Sequence, residues 1–75
     1  MSIRVKDRLK RLGIITITME ERKEIDRILK ARTGKPCDEA VECFSDEEFR
    51  GIVRRAKRLV RERIYMRRQQ YEKKI

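Results

Sequence analysis

The sequence predicts a mainly helical fold with one short strand, which would pair with the same strand of a second copy in a two-stranded antiparallel sheet. The strand prediction rests on residues 13–19, GIITITM, which are rich in β-branched residues and alternate in their second half. No other segment has this pattern, so the partner strand would come from another subunit. The helical prediction rests on apolar residues spaced three and four apart in 20–32 and 49–64.

The predicted strand has two different faces, because successive side chains of a strand point in opposite directions. The outer face carries Ile14, Thr16 and Thr18. The side chains of the inner face would form the core of the homodimer, together with two apolar residues of the second helix. The predicted dimer core is Ile15, Ile17, Met19, Val41 and Phe44.

The chain divides into three parts of a single domain, since 75 residues allow only one small core. Residues 1–12 form a basic N-terminal arm, with five bases against one acid. The arm is either a short amphipathic helix or a segment that becomes ordered on binding. Residues 13–44 form the dimeric core, and residues 45–75 form a long basic C-terminal helix.

Local signals set the helix boundaries. A helix is predicted over 20–32, because acidic residues occupy its first turn and basic residues its last turn. Gly34 is expected to end this helix. Lys35 and Pro36 begin a second, short helix. Ser45 and Glu48 have the spacing of a capping box, so the third helix begins there and would run to about residue 71. Gly51 within that helix costs about 1 kcal/mol relative to alanine and marks a possible close approach of another backbone.

The net charge of +9 favours a polyanionic partner: DNA, RNA or an anionic membrane surface. From Arg50 onward there are 11 bases and two acids, a sum of +9, which is either an ordinary solvated helix face or a surface that contacts phosphates. No apolar run is long enough to span a membrane and no secretory leader is visible, so we expect a cytoplasmic protein.

Catalysis, cofactors and metal binding are not expected. The chain has no histidine and no glycine-rich phosphate loop, and its acids sit where helix capping explains them. Cys37 and Cys43 do not have a zinc spacing. They are either small buried apolar residues or partners in an intersubunit disulfide, the second being compatible with the thermophilic source that the Arg, Lys and Glu content suggests.

The order of strand, helix, glycine-containing loop and second helix over 14–44 resembles the ribbon-helix-helix family of DNA-binding proteins, the MetJ/Arc type. The run EIDRILK at 24–30 is similar to the family's first helix, and Gly34 matches its turn. Three features depart from the family pattern: Lys35 and Pro36 replace the usual polar cap, the outer strand face lacks the usual base readers, and a third helix is added. The third helix is similar to elaborated members among archaeal viral proteins, for which the compartment would be the host cytoplasm.

The resemblance implies a homodimeric, sequence-reading protein that binds double-stranded DNA, and thus a transcriptional regulator. A two-stranded ribbon fits the major groove, where Ile14, Thr16 and Thr18 would face the bases. Phosphates would be held by the second helix and by the basic arm. The predicted phosphate contacts are Lys35, Pro36, Cys37, Lys10 and Arg11. Three alternatives stay open: an antitoxin-like interaction module, a helical assembly protein, and a nucleic-acid binder without sequence preference that uses the basic third helix.

Overall fold

Four α-helices make up the regular structure of residues 2–72, the part of the chain that the computed structural model describes, with side chains described to residue 66. The helices are α1 (Ile3–Arg11), α2 (Met19–Thr33), α3 (Cys37–Ala40) and α4 (Asp46–Glu72), and a 3-10 turn, Val41–Cys43, follows α3. No strand occurs within residues 2–72, so the predicted strand and the two-stranded sheet between subunits are wrong.

The segment predicted as a strand is in fact the junction between two helices. At its start, Gly13 has a φ of 75°, and its N–H donates to the carbonyl of Lys10 at 3.0 Å. The N–H of Ile14 donates to the carbonyl of Leu9 at 2.9 Å. These two bonds form a Schellman motif, which ends α1 and satisfies the free carbonyls of its last turn.

At the other end of the segment, Thr18 caps α2. Its hydroxyl accepts from the N–H of Glu21 at 3.1 Å, and the Glu21 carboxylate accepts from the N–H of Thr18 at 2.9 Å. This is a capping box, so Met19 is the first residue of α2. Only residues 15–17 remain between these two boundaries, without regular secondary structure, and their alternation is too short to define a strand.

The predicted dimer core is distributed between the subunit's own core and its surface. Val41 is 2% exposed, and Ile17 and Phe44 are half-buried against the same intramolecular core. Ile15 and Met19, by contrast, are 83% and 65% exposed. The five residues therefore do not share one face.

The core lies mainly between α2 and α4, with α1 and α3 closing its ends. Its fully buried large side chains are Val5, Ile25, Leu29, Val41, Phe49 and Ile52. The basic N-terminal arm forms the helix α1, so of the two structures expected for it, a short helix or a segment ordered only on binding, the helix is observed. Arg8 attaches α1 to the start of α4: it donates to the carbonyl of Phe44 at 2.9 Å, lies 3.3 Å from the Asp46 carboxylate and stands 5.8 Å from the ring centre of Phe49.

Two predicted boundaries are confirmed, at Gly34 and at Ser45, whereas the second helix begins at Cys37, with Pro36 as its N-cap and not within the helix. Gly34 ends α2 in the left-handed conformation, with a φ of 70°. Ser45 and Glu48 exchange the two hydrogen bonds of a capping box at 3.0 and 3.2 Å, and α4 begins at Asp46. The 27 residues of α4 form a helix about 40 Å long.

Candidate functional site

The positive charge of the protein belongs to the last helix and the residues that follow it. The whole chain has a net charge of +9, and residues 50–75 alone sum to +9, with 11 bases and two acids. The 11 bases and 11 acids of residues 1–49 therefore cancel. The net positive charge that would attract a polyanion therefore comes from α4 and the residues after it.

The packing of α4 decides which of its charges face solvent. Its buried side consists of Phe49, Ile52, Val53, Ala56 and Val60. The rest of the surface of α4 is exposed around five arginines. These are Arg50, Arg54, Arg55, Arg58 and Arg61. Because the apolar stripe is fixed against α2, the arginines are held on the outer face of the helix.

An open depression of about 480 Å³ lies between the end of α2 and the first half of α4. Four arginines line it: Arg32 from α2, and Arg54, Arg55 and Arg58 from α4. Its other lining residues are Glu48, Gly51 and Ile52. We call this depression the arginine groove. Arginine is the cation best suited to phosphate, because its planar guanidinium forms two parallel hydrogen bonds to phosphate oxygens.

The arginines of the groove are not paired with acids. Within residues 2–66, no ion pair includes any of the four, whereas Arg4, Arg8, Arg11, Arg27 and Arg63 each bind a carboxylate within 4 Å. Four of the paired arginines join different elements of the fold, and Arg27 pairs within α2. The groove arginines leave their charge and hydrogen-bond donors available to a ligand.

Glu48 is the one acid in the groove, and it is ionised at neutral pH. Hydrogen bonds from the backbone and hydroxyl of Ser45 lower the pKa of Glu48, and the positive charge of Arg32 lowers it further. The carboxylate is thus engaged in the cap of α4 and offsets part of the positive potential at one end of the groove.

Gly51 forms part of the groove wall, and nothing in the fold requires a glycine there. It lies in the helical conformation, and a Cβ added at this position would meet no atom within 4 Å. No backbone approaches it within the described chain, so the close approach expected from the sequence is not made by the protein itself. The missing side chain instead leaves open space beside Arg54, Arg55 and Arg58.

The residues predicted to read bases do not form a common surface. Ile14 is half-buried and packs on the core. The carbonyl of Thr16 accepts from the Lys57 ammonium at 2.9 Å, and the Thr18 hydroxyl caps α2. The outer strand face on which these three residues were placed is not observed, because the segment is not a strand.

The residues predicted to contact phosphates lie outside the arginine groove. Arg11 is bound to Asp46 at 2.7 Å, and Lys10 is an exposed residue of α1. Lys35 is exposed, while Pro36 precedes a helix of only four residues. Cys37 is half-buried and packs against the core. The structure brings none of these five together with the groove arginines.

The described part of the chain shows no metal site, no disulfide within the subunit and no membrane-spanning helix. Residues 2–66 contain no group of three or more potential metal-ligating side chains. Both cysteines are free thiols, with Cys43 exposed. Among the helices described, none is sufficiently long and apolar to cross a membrane.

Comparisons with protein-family models, curated proteins and solved structures give no match to this chain. Nothing in them identifies a ribbon-helix-helix family. The site is therefore defined by its own geometry.

The sequence shows that α4 is basic as a whole, but it does not show which of its arginines line the groove. The i, i+4 spacings of Gly51 with Arg55 and of Arg54 with Arg58 were visible in the sequence. The contribution of Arg32 was not, because it depends on how α2 packs against α4.

Proposed function

We propose that the protein binds double-stranded DNA through α4, with the phosphates of one strand lying in the arginine groove. The observation that carries this proposal is the set of four unpaired arginines around an open depression. The proposal keeps the duplex partner expected from the sequence and replaces the ribbon by a helix.

The shape of the basic surface favours duplex DNA over other polyanions. With the backbone of one strand in the arginine groove, α4 would lie along the edge of the major groove, which in B-form DNA is about 12 Å wide and so admits a helix about 10–12 Å wide. The major groove of A-form RNA is too deep and narrow for such a contact. A membrane-surface helix would need an exposed apolar face, whereas the apolar stripe of α4 beside the arginine groove, from Phe49 to Val60, is buried.

Binding through the groove would discriminate weakly between DNA sequences, because phosphates are the same at every base pair. The interaction would resemble the third alternative raised by the sequence, a nucleic-acid binder that uses the basic helix. A role in transcription would depend on base contacts by other exposed residues of α4.

The experiment that tests this proposal measures affinity for a short DNA duplex by fluorescence anisotropy as the salt concentration is varied. Each phosphate contact contributes a slope of about −0.9 in log K against log salt, so four arginines predict about −3.6. Affinity should therefore fall by about a hundred-fold between about 50 and about 200 mM salt. Arg54→Gln, Arg55→Gln and Arg58→Gln should each reduce the slope by about 0.9.

Arg50→Gln is the matched control, since Arg50 is an exposed arginine on the same helix but does not line the groove. It should change the slope less than the groove substitutions. Equal effects of all four substitutions would show that the helix attracts DNA without using the groove. Tighter binding to an RNA duplex of the same sequence would reject DNA as the preferred partner.

A further inference from the structure

A second depression of about 580 Å³ lies on a different part of the surface, between the start of α2 and the second half of α4. Its apolar lining residues are Met19, Val60 and Ile64. Met19 is 65% exposed and Ile64 is 43% exposed, so two large apolar side chains border an open cleft. We call it the α2–α4 cleft.

The charged residues of the α2–α4 cleft are segregated by helix. Glu20 and Glu21 stand on the α2 side, and Lys57 and Arg61 stand on the α4 side. None of the ion pairs within residues 2–66 joins the two sides. Glu21 is used in the cap of α2 and Lys57 binds a carbonyl, but both keep their net charge.

We propose that the α2–α4 cleft is the interface of a homodimer, covered by the same cleft of a second copy of this chain. A two-fold axis that runs along the cleft, between its two sides, places the acidic side of one subunit against the basic side of its partner. The exposed Met19 and Ile64 side chains of both subunits would then be buried at the centre. Segregated charges of opposite sign make the surface complementary to itself.

The chemistry of the cleft favours a protein occupant over a nucleic acid. Two carboxylates and three apolar side chains would repel or fail to contact phosphates, in contrast to the arginine groove. A chain of 75 residues also buries a small core, and association with a second copy is a common way to stabilise such a chain. This dimer differs from the one expected from the sequence, because no strand takes part.

The first experiment determines the oligomeric state of the full chain by sedimentation velocity, without nucleic acid, from about 1 μM to about 1 mM, the range of weak to moderate dimers. The wild-type chain should form a dimer. Met19→Gln and Ile64→Gln should each raise the dissociation constant at least about ten-fold, because each removes an apolar side chain from the interface.

Ile3→Gln is the matched control. Ile3 is a 76% exposed apolar residue of α1 outside the cleft, so its substitution should leave the dimer unchanged. A monomer across the whole concentration range would overturn the proposal. So would a dimer that is equally affected by Ile3→Gln, or unaffected by the two cleft substitutions.

A charge exchange provides a second measurement that does not depend on apolar burial. Glu20→Arg and Arg61→Glu each place like charges across the proposed interface, so each variant alone should be mainly monomeric. An equimolar mixture should form heterodimers, because the two variants then present opposite charges to each other. If mixing restores no dimer, the pairing of acidic with basic sides is refuted.

Discussion

Substitution of Gly51 should change folding stability and DNA binding in opposite directions. In Gly51→Ala, the added methyl group meets no atom within 4 Å, and alanine favours the helix by about 1 kcal/mol. In a domain of this size, 1 kcal/mol corresponds to a rise of about 4–8 °C in the melting temperature. A stabilising substitution would ordinarily leave a binding surface intact.

The same substitution adds a side chain to the wall of the arginine groove, where a phosphate would approach the helix. Gly51→Leu extends the test, since leucine is also a good helix former and adds three more carbon atoms than alanine to the open space. We expect affinity for a DNA duplex to fall modestly in Gly51→Ala and by about ten-fold, or about 1.4 kcal/mol, in Gly51→Leu. Both variants keep every charged group of the protein.

Circular dichroism melts and anisotropy titrations at one fixed salt concentration measure the two effects on the same samples. Higher melting temperatures with graded loss of affinity would support phosphate binding beside Gly51. Wild-type affinity in Gly51→Leu would refute phosphate binding beside Gly51, because a leucine side chain would occupy part of the space that the phosphate needs. A lower melting temperature in Gly51→Ala would show that the space beside the helix is not open.

Three further predictions concern the fold. Thr18→Ala should lower the free energy of unfolding by about 1 kcal/mol through loss of the α2 cap, whereas Thr16→Ala should change it little, and equal effects in urea titrations would contradict the assigned roles. Glu48→Gln should destabilise the protein at pH 7; because the folded-state pKa of Glu48 is lowered, that difference should begin to shrink as the pH falls below the ordinary glutamate pKa and should disappear below the lowered pKa, and a difference that does not change with pH in thermal melts would exclude this cause. Arg63→Ala should cost about 1 kcal/mol, since the buried Glu24 carboxylate loses one of two arginine partners, and a loss of more than about 3 kcal/mol would mean that the remaining arginine cannot compensate it.

The helical parts of the fold were predictable because their signals are local. The helix predicted over 20–32 is observed as Met19–Thr33, and the capping box at Ser45 places the start of α4 correctly. The error at 13–19 has a clear cause. Gly13 and Ile14 end one helix and Thr18 and Met19 begin another, and together these boundary residues imitate a β pattern.

The spacing of Thr18 and Glu21 was itself a capping signal in the sequence, and it competed with the β-branched composition of the same residues. Only part of the arginine groove could be predicted from the sequence. Its three α4 arginines follow from helical spacing, but Arg32 reaches the groove through tertiary packing that no local pattern encodes. The same holds for the α2–α4 cleft, whose two sides come from residues about 40 positions apart.

The placement of the charge has a consequence for how the molecule would meet the DNA partner proposed above. Residues 1–49 have no net charge, while the rest of the chain carries the full +9, so the charge is distributed very unevenly along the sequence. In the field of a DNA duplex, such a molecule would rotate before contact and arrive with α4 leading. Added salt should therefore lower the association rate constant for DNA as well as the affinity.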